Sequence, residues 1–343
     1  MHESYLISGI AILVVIGYDF FYTTLSFNGA GFLSRLMSRF LSALFLFLNK
    51  YIPQRKVLRY SGVTHILFLI GLWIGLLWLG FFLLLMSDPD SVVQVGSGSA
   101  ASALSKLYVS GYTLSTLGVG DYIAGTEGWQ IVMAGFSFVG FVFITTAMTY
   151  LMALTSAVIH KRNFSLFIAN MGESPEEIVA NSYDGESFSG LLNVAPTLRE
   201  MINKHNQNHF AHPVVHYFYS RSRPESLSIN ITNLDEALSI MLYLSEKQAS
   251  TAIELRSLRN AIDHYLDSIR HNYFSPAEHD IKYVPDFKLL EERQVTLSSL
   301  RTAEDYAKSV SERRSLLAGL LQSDGWSWED ICVTATTDPT ANI

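Results

Sequence analysis

The chain has 343 residues, 49% hydrophobic and only 16% charged, against roughly 25% charged in a soluble globular domain. That balance argues against an ordinary soluble enzyme, and the single cysteine, Cys332, excludes an intrachain disulfide framework or a thiolate metal site built within one chain. The formal net charge of -7 is unevenly placed, because residues 1–159 carry 7 Lys+Arg and 6 Asp+Glu whereas residues 160–343 carry 17 and 25. The first part reads as a membrane segment and the second as an acidic soluble domain, whose sign argues against a nucleic-acid partner since phosphate binding needs a local excess of cations.

In chain order, Ser4 to Ser34 contains one charge, Asp19, and its first two thirds are apolar enough for a transmembrane helix. A cleaved signal peptide is the competing reading, disfavoured because residues 1–4 hold no Lys or Arg and no clear small-x-small site follows. Asp19, near the inner end of that helix, is expected to be structural. Leu33, Leu36, Met37, Phe40, Leu41 and Leu44 follow helical spacing, but Arg35 and Arg39 interrupt the run, so an interfacial amphipathic helix fits better than a span. Ile66 to Met86 is 21 residues without a charge, about 31 Å of helix, which matches the hydrocarbon core. Ile131 to Ile159 runs 29 residues without Asp, Glu, Lys or Arg, about 43 Å, so it must tilt or continue past the bilayer. Arg35, Arg39, Lys50, Arg55, Lys56 and Arg59 fall between the first and second spans, and Lys161 and Arg162 follow the last. Positive segments stay cytoplasmic, so the expected protein is multi-pass in the cell membrane, with residues 87–128 outside and the C-terminus in the cytoplasm.

The segment between the last two spans is too polar to cross a bilayer and too apolar for an ordinary loop. Ala100 to Thr113 reads as a short helix with Ser97 or Ser99 available as a cap, followed by Thr113-Leu114-Ser115-Thr116-Leu117-Gly118-Val119-Gly120-Asp121-Tyr122. Over residues 64–158 this arrangement resembles the pore module of tetrameric potassium channels: outer helix, pore helix, T-x-G-x-G-D filter, inner helix. In such a filter, backbone carbonyls of four copies replace the water that potassium sheds. The resemblance implies Thr116, Leu117, Gly118, Val119 and Gly120 as the ion-binding segment. It implies Asp121 and Tyr108 as support behind the filter, with the bland alternative that Tyr108 packs the pore helix. Gly140, 19 residues after Asp121, stands where the family places a hinge. Asp88, Asp90 and Glu127 share the outer side, where in four copies they would concentrate cations.

Val119 departs from the pattern, since Tyr or Phe usually precedes the second filter glycine. Aliphatic residues occur there in some two-pore-domain potassium channels, to one of whose filters Gly120-Asp121-Tyr122 with Gly125 is similar; a less selective cation pore is the nearest alternative. Phe141, Ile144, Met148 and Met152 recur at spacings of 3, 4 and 4 and share one helix face, expected to line the cavity and a gate, with helix packing as the alternative.

The soluble part is expected to be a helical bundle. Ser174-Pro175-Glu176-Glu177 is a helix start with a cap, Pro at N1 and Glu at N3, and Pro196 to His209, Asn233 to Lys247, Ala252 to His271 and Leu289 to Leu321 continue the pattern. No Gly-rich dinucleotide fingerprint or P-loop occurs. His205, His209, His212 and His216 have metal-compatible spacing, but Pro213 breaks the helix and no Cys or paired acid completes a site, so scattered histidines are the preferred reading over zinc.

The expected fold class is thus an all-α membrane protein: a pore module of two helices and a re-entrant loop, an extra N-terminal transmembrane helix, and a cytoplasmic helical domain. The expected boundaries are 1–31 for the first helix, 32–62 for the basic interfacial segment, 63–160 for the pore module, 161–334 for the cytoplasmic domain and 335–343 for a flexible tail. The expected function is a homotetrameric potassium-selective channel in a lipid bilayer, not an enzyme, with K+ as the permeant ion and no cofactor or other metal. An unknown ligand or protein could act on the cytoplasmic domain, and the alternatives are a nonselective cation channel or a non-conducting membrane sensor.

Overall fold

The computed structural model describes residues 2–26, 28–52, 55–244, 252–278, 281, 283–295 and 303–331. The tail at 335–343, Cys332 and the joins expected within 245–247 and 296–302 lie outside these. The chain forms two compact units, each discontinuous in sequence: residues 1–44, 61–156 and 209–217 make the first, and residues 45–60, 157–208 and 218–343 the second.

The long apolar elements are α1 (Glu3–Leu25), α2 (Phe32–Asn49), α3 (Ser61–Met86) and α5 (Glu127–Ala169), with α4 (Ala103–Leu114) between the last two; all lie in the first unit except residues 45–49 of α2 and 157–169 of α5, which belong to the second. Helices are the required form for apolar chain in lipid, since each backbone N–H and C=O must find its partner inside the segment. Together with the 3₁₀ turn that leads into α3, these four are long and apolar enough to cross a membrane. That includes α2, whose 18 uninterrupted helical residues meet the length and composition of a span despite its two arginines. The last apolar helix is longer than its charge-free run: α5 holds 43 residues, about 65 Å, and passes His160-Lys161-Arg162 without a break.

Small residues let α1 approach α3 closely. A Cβ on Gly9 would stand 2.8 Å from the Leu84 amide nitrogen and 2.9 Å from the Gly80 carbonyl oxygen, so both backbones meet where side chains would hold them apart. Asp19 is buried and accepts from the backbone N–H groups of Leu33 (2.8 Å) and Ser34 (3.2 Å), from the Ser34 hydroxyl and from Trp73 Nε1 (3.2 Å). It therefore satisfies orphan donors of the first turn of α2 from a neighbouring helix, which is the structural role expected for it. Phe20 stacks on Phe143 at 3.9 Å, and Phe81 on Phe136 at 3.7 Å, fastening α1 and α3 to α5.

The segment 209–217, read as part of the soluble domain, belongs to the first unit. The His65 ring stacks on Tyr217 at 4.5 Å, His212 meets Tyr150 edge-on at 5.3 Å, and the Phe210 carbonyl accepts from Gly29 N–H at 3.1 Å. An apolar, histidine-bearing turn suits burial against helices better than exposure on an acidic surface, although its position in the chain gives no hint of this.

The second unit is helical: α6 (Pro175–Ser182), α7 (Ser189–Ala211, its last three residues belonging to the first unit), α8 (Leu227–Leu244), α9 (Ala252–Tyr273), α10 (Phe287–Glu292) and α11 (Ala303–Ser323). Ser174 caps α6 through a hydrogen bond from Glu177 N–H at 3.2 Å, and Glu177 reaches back to the Glu173 N–H at 2.8 Å. Expected to start at Pro196, α7 begins at Ser189 and carries that proline inside, so it forgoes one backbone hydrogen bond while Leu191, Ala195, Leu198 and Ile202 bury the face that holds it. Leu258, Ile262, Tyr265, Leu266 and Ile269 of α9 lie in the core as their spacing indicates.

Two buried acids at the centre are paired. Arg314 donates to both oxygens of Glu236 (3.0 and 2.8 Å), which also accepts from the Tyr306 hydroxyl (3.2 Å). Asp235 accepts from Arg313 (2.6 and 2.5 Å) and Arg259 (3.4 Å). Burial pushes the Asp235 carboxyl up, but the Arg259 and Arg313 cations outweigh it and hold it below the ordinary range.

Candidate functional site

The segment singled out by sequence follows α4 directly. This short helix starts at Ala103, with Ser102 as its cap accepting from Ser105 N–H at 3.2 Å. Ser97 and Ser99, the caps expected from sequence, instead bond one another at 2.8 Å in the preceding turn. Two contacts set α4 against α3: Trp78 Nε1 donates to the Ser110 hydroxyl (2.9 Å) and the Leu107 carbonyl (3.0 Å). A Cβ on Gly111 would press on the Trp78 ring at 3.1 Å, so the glycine admits the indole.

Beyond α4 the backbone alternates in handedness. Thr116, Gly118 and Gly120 have φ of +60°, +56° and +87°, while Leu117 and Val119 between them do not enter the positive region. For Gly118 and Gly120 this is the freedom glycine supplies; for Thr116, a β-branched residue, it is an outlier held by its surroundings. Backbone that alternates between the two hands can gather successive N–H groups on one side, and here the Thr116 and Leu117 N–H groups turn back to the Thr113 (3.1 Å) and Tyr112 (2.9 Å) carbonyls of α4. All of residues 115–121 are exposed in the single chain, with Leu117 at 70% and Val119 at 49%.

The outer end of this segment is clamped. A two-stranded antiparallel ladder, β1 (Val92–Gln94) with β2 (Tyr122–Ala124), pairs Gln94 with Tyr122 and Val92 with Ala124, and Val95 N–H donates to the Asp121 carbonyl at 3.1 Å. This ladder corrects the all-α expectation locally. Its strands are three residues each, below the length at which alternation can be recognised in sequence. A Cβ on Gly125 would meet the Asp90 carbonyl at 2.1 Å, so the close approach at the end of β2 needs glycine.

The Asp121 carboxylate lies beside the Tyr108 hydroxyl, and Tyr108 is 43% exposed. Two residues missed by sequence complete the arrangement. Tyr112 donates its hydroxyl to the Tyr122 carbonyl at 2.9 Å, and the Tyr122 hydroxyl accepts from Ser105 at 3.0 Å. Tyr112 stands one helical turn after Tyr108, the spacing at which a second ring shares its face, and that signal was available.

Gly140 is buried in α5, which continues unbroken through it. A Cβ there would stand 2.1 Å from the Leu114 carbonyl oxygen, so the glycine lets α5 touch the last turn of α4 immediately before the alternating segment. Close approach, rather than bending, is what this conformation draws from it. Phe141, Ile144, Met148 and Met152 are exposed along one face of α5, from 48% to 75%. Asp88 accepts from Trp129 Nε1 at 2.9 Å and from Asp90 N–H at 3.0 Å, so of the three outer acids this one is committed to tying the end of α3 to the start of α5. Glu127 is exposed in the first turn of α5, and Asp90 is exposed in the turn after α3.

Of the four histidines only two meet, His209 Nε2 standing 3.4 Å from His216 Nδ1. His205 packs on Tyr265 at 5.3 Å in the second unit, whereas His209, His212 and His216 belong to the first. Among the described residues no group of three His, Cys, Asp or Glu side chains could hold a metal.

No family model matches the chain, and no solved structure matches it. It is 32% identical over 330 residues to the uncharacterized membrane protein YdjJ of Bacillus subtilis (strain 168), an alignment covering 96% of each sequence. With apolar helices of spanning length and a relative matched nearly end to end, the chain is a membrane protein and belongs to the same family as YdjJ.

Proposed function

We propose that four copies of this chain form a cation channel, selective for potassium, with the carbonyl oxygens of Thr116 to Gly120 lining the path. The observation that carries this reading is the alternation of backbone handedness at Thr116, Gly118 and Gly120. Potassium enters a narrow path only if oxygens replace its hydration shell, and a segment whose carbonyls share one side supplies a ladder of them when four copies face an axis. The exposure of residues 115–121 in one chain supports this, because irregular backbone at membrane depth is tolerable only where it lines a water-filled path or packs on protein. In the same reading, Met148 and Met152 line the path on the inner side, and the basic residues flanking the spans favour a cytoplasmic second unit.

Val119 favours a second reading, a less selective cation pore, since it offers no ring or hydroxyl to brace the segment from behind. Reversal potential across a planar bilayer, with potassium on one side and sodium on the other, separates the two. A value near the potassium Nernst potential supports selectivity, whereas current reversing near zero keeps the pore and removes the selectivity. Gly118→Asp is expected to abolish the current; undiminished flux in that variant would remove the assignment of this segment. A chain that assembles but never conducts, even with residues 164–343 deleted, would be a sensor instead.

A further inference from the structure

The second unit contains a cleft of about 360 Å³ whose lining is strongly basic: Arg59, Lys161, Arg162 and Arg221 line it together with one carboxylate, Glu225. Like charges gathered in one concavity repel unless an anion joins them, and the one acid in the lining pairs with one of the four. Arg162 pairs with Glu225. Lys161 donates to the Phe218 carbonyl at 3.0 Å and feels the Asp324 carboxylate, so the charges left for a ligand are chiefly those of Arg59 and Arg221. Arg59 and Arg221 are exposed and have no carboxylate partner among the described residues, Arg59 lying over the Tyr60 ring instead.

The loop that carries this charge is held in place before any ligand arrives. The Ser220 carbonyl accepts from Arg55 Nε at 3.0 Å, the Ser220 hydroxyl donates to the Glu225 carbonyl at 2.7 Å, and the Pro224 carbonyl takes hydrogen bonds from Ser165 (3.0 Å) and Asn230 (2.9 Å). A preorganised site pays little ordering entropy on binding. Three guanidinium groups and an ammonium suit an anion with several oxygens and more than one charge. Guanidinium forks match phosphate oxygens two at a time, and a single carboxylate could not engage four cations.

The chain positions of these residues narrow the source. Arg59 lies two residues before the start of α3, and Lys161 and Arg162 follow Ile159, where the charge-free run of α5 ends. Both margins of the cleft are thus at the boundary between apolar and polar chain, the depth at which headgroups lie and where basic pockets recognise them. We propose that this cleft binds a phosphate group, carried by an anionic phospholipid headgroup or by a soluble phosphate. This does not depend on whether the chain conducts.

The test is direct binding to the purified full-length protein in detergent. Dioctanoyl phosphatidic acid is followed by native mass spectrometry with dioctanoylglycerol as the tail control, and labelled inorganic phosphate by equilibrium dialysis. The wild type is expected to bind at least one phosphate-bearing probe, and Arg59→Ala with Arg221→Ala is expected to weaken it at least tenfold. Arg221→Gln alone, a single exposed change, is expected to weaken it severalfold and covers the case in which the double variant does not fold. Phosphatidic acid bound without inorganic phosphate assigns the lipid source, and binding of inorganic phosphate at comparable affinity assigns the soluble one. Binding of neither probe, or equal binding in the wild type and in folded variants, overturns the proposal.

Discussion

The centre of the second unit and the segment from Thr116 to Gly120 deal with polar groups in opposite ways. In the second unit, Asp235, Glu236 and Arg314 are buried and each has its partners within the same chain. At the alternating segment, residues 115–121 are exposed, and a threonine is held at positive φ. Strained backbone persists where something else over-determines it. One region is buried within the chain, and the other stands exposed in it.

The largest effect is therefore expected where self-sufficiency is deepest. Glu236→Gln leaves the fully buried Arg314 with a neutral partner. Breaking a buried pair from one side costs about 3–5 kcal/mol, so the second unit should melt well before the first. Circular dichroism at increasing temperature, with limited proteolysis to show which unit is cut, reads this out. An unchanged melting profile would mean that the charges are solvated in solution and would end the contrast.

Gly140→Ala probes the contact that supports the other region. Its Cβ would stand 2.1 Å from the Leu114 carbonyl oxygen, a backbone atom that cannot swing aside, and overpacking of this kind costs about 1–3 kcal/mol. The expected result is loss of current together with a lower midpoint for the membrane unit, the second unit being unaffected. Gly118→Ala sharpens the distinction. Nothing lies within 4 Å of the added methyl, so each chain bears only the left-handed penalty of about 1–2 kcal/mol. In four facing copies the loss of current should be at least tenfold. A variant that keeps both fold and current would show that the segment does not face its own copies.

Much of this was legible because apolar helices and glycines with positive φ are local properties. Ile66 to Met86 is recognisable from hydropathy alone, and Gly118 and Gly120 from their spacing beside Thr116 and Asp121. What stayed hidden depends on tertiary approach. Trp78 seated on Ser110 and Gly111, the three-residue ladder beside Asp121, and the 209–217 turn against His65 have no periodicity to betray them. Arg55 is the clearest case. In sequence it is one more positive charge in a connector, whereas in the structure it donates to the carbonyls of Ser220, Asp324 and Gly325 and lies 3.8 Å over the Trp326 ring. A charge count records the sign of such a residue and not its partners.

The smallest effect concerns Asp88, through which the junction of α3 and α5 acquires a dependence on acid. Its carboxylate is held below the ordinary aspartate value of 3.8 chiefly by the Trp129 N–H, then by the Asp90 N–H, with the Lys106 cation adding to both against a small opposing effect of burial. A carboxylate depressed by folding contributes its full stabilisation above the unfolded pKa and loses it as pH falls through the folded one. The tie between the end of α3 and the start of α5 is thus intact at neutral pH and weakens only below about pH 4. Trp129→Phe removes the main donor, so Asp88 should return toward its ordinary value and part of the acid-side loss should disappear. Melting midpoints of wild type and variant between about pH 3 and pH 6 are expected to converge as pH falls. Curves that stay parallel would show that the indole holds α5 by packing alone, and that even at this junction the membrane unit relies on shape where the second unit relies on charge.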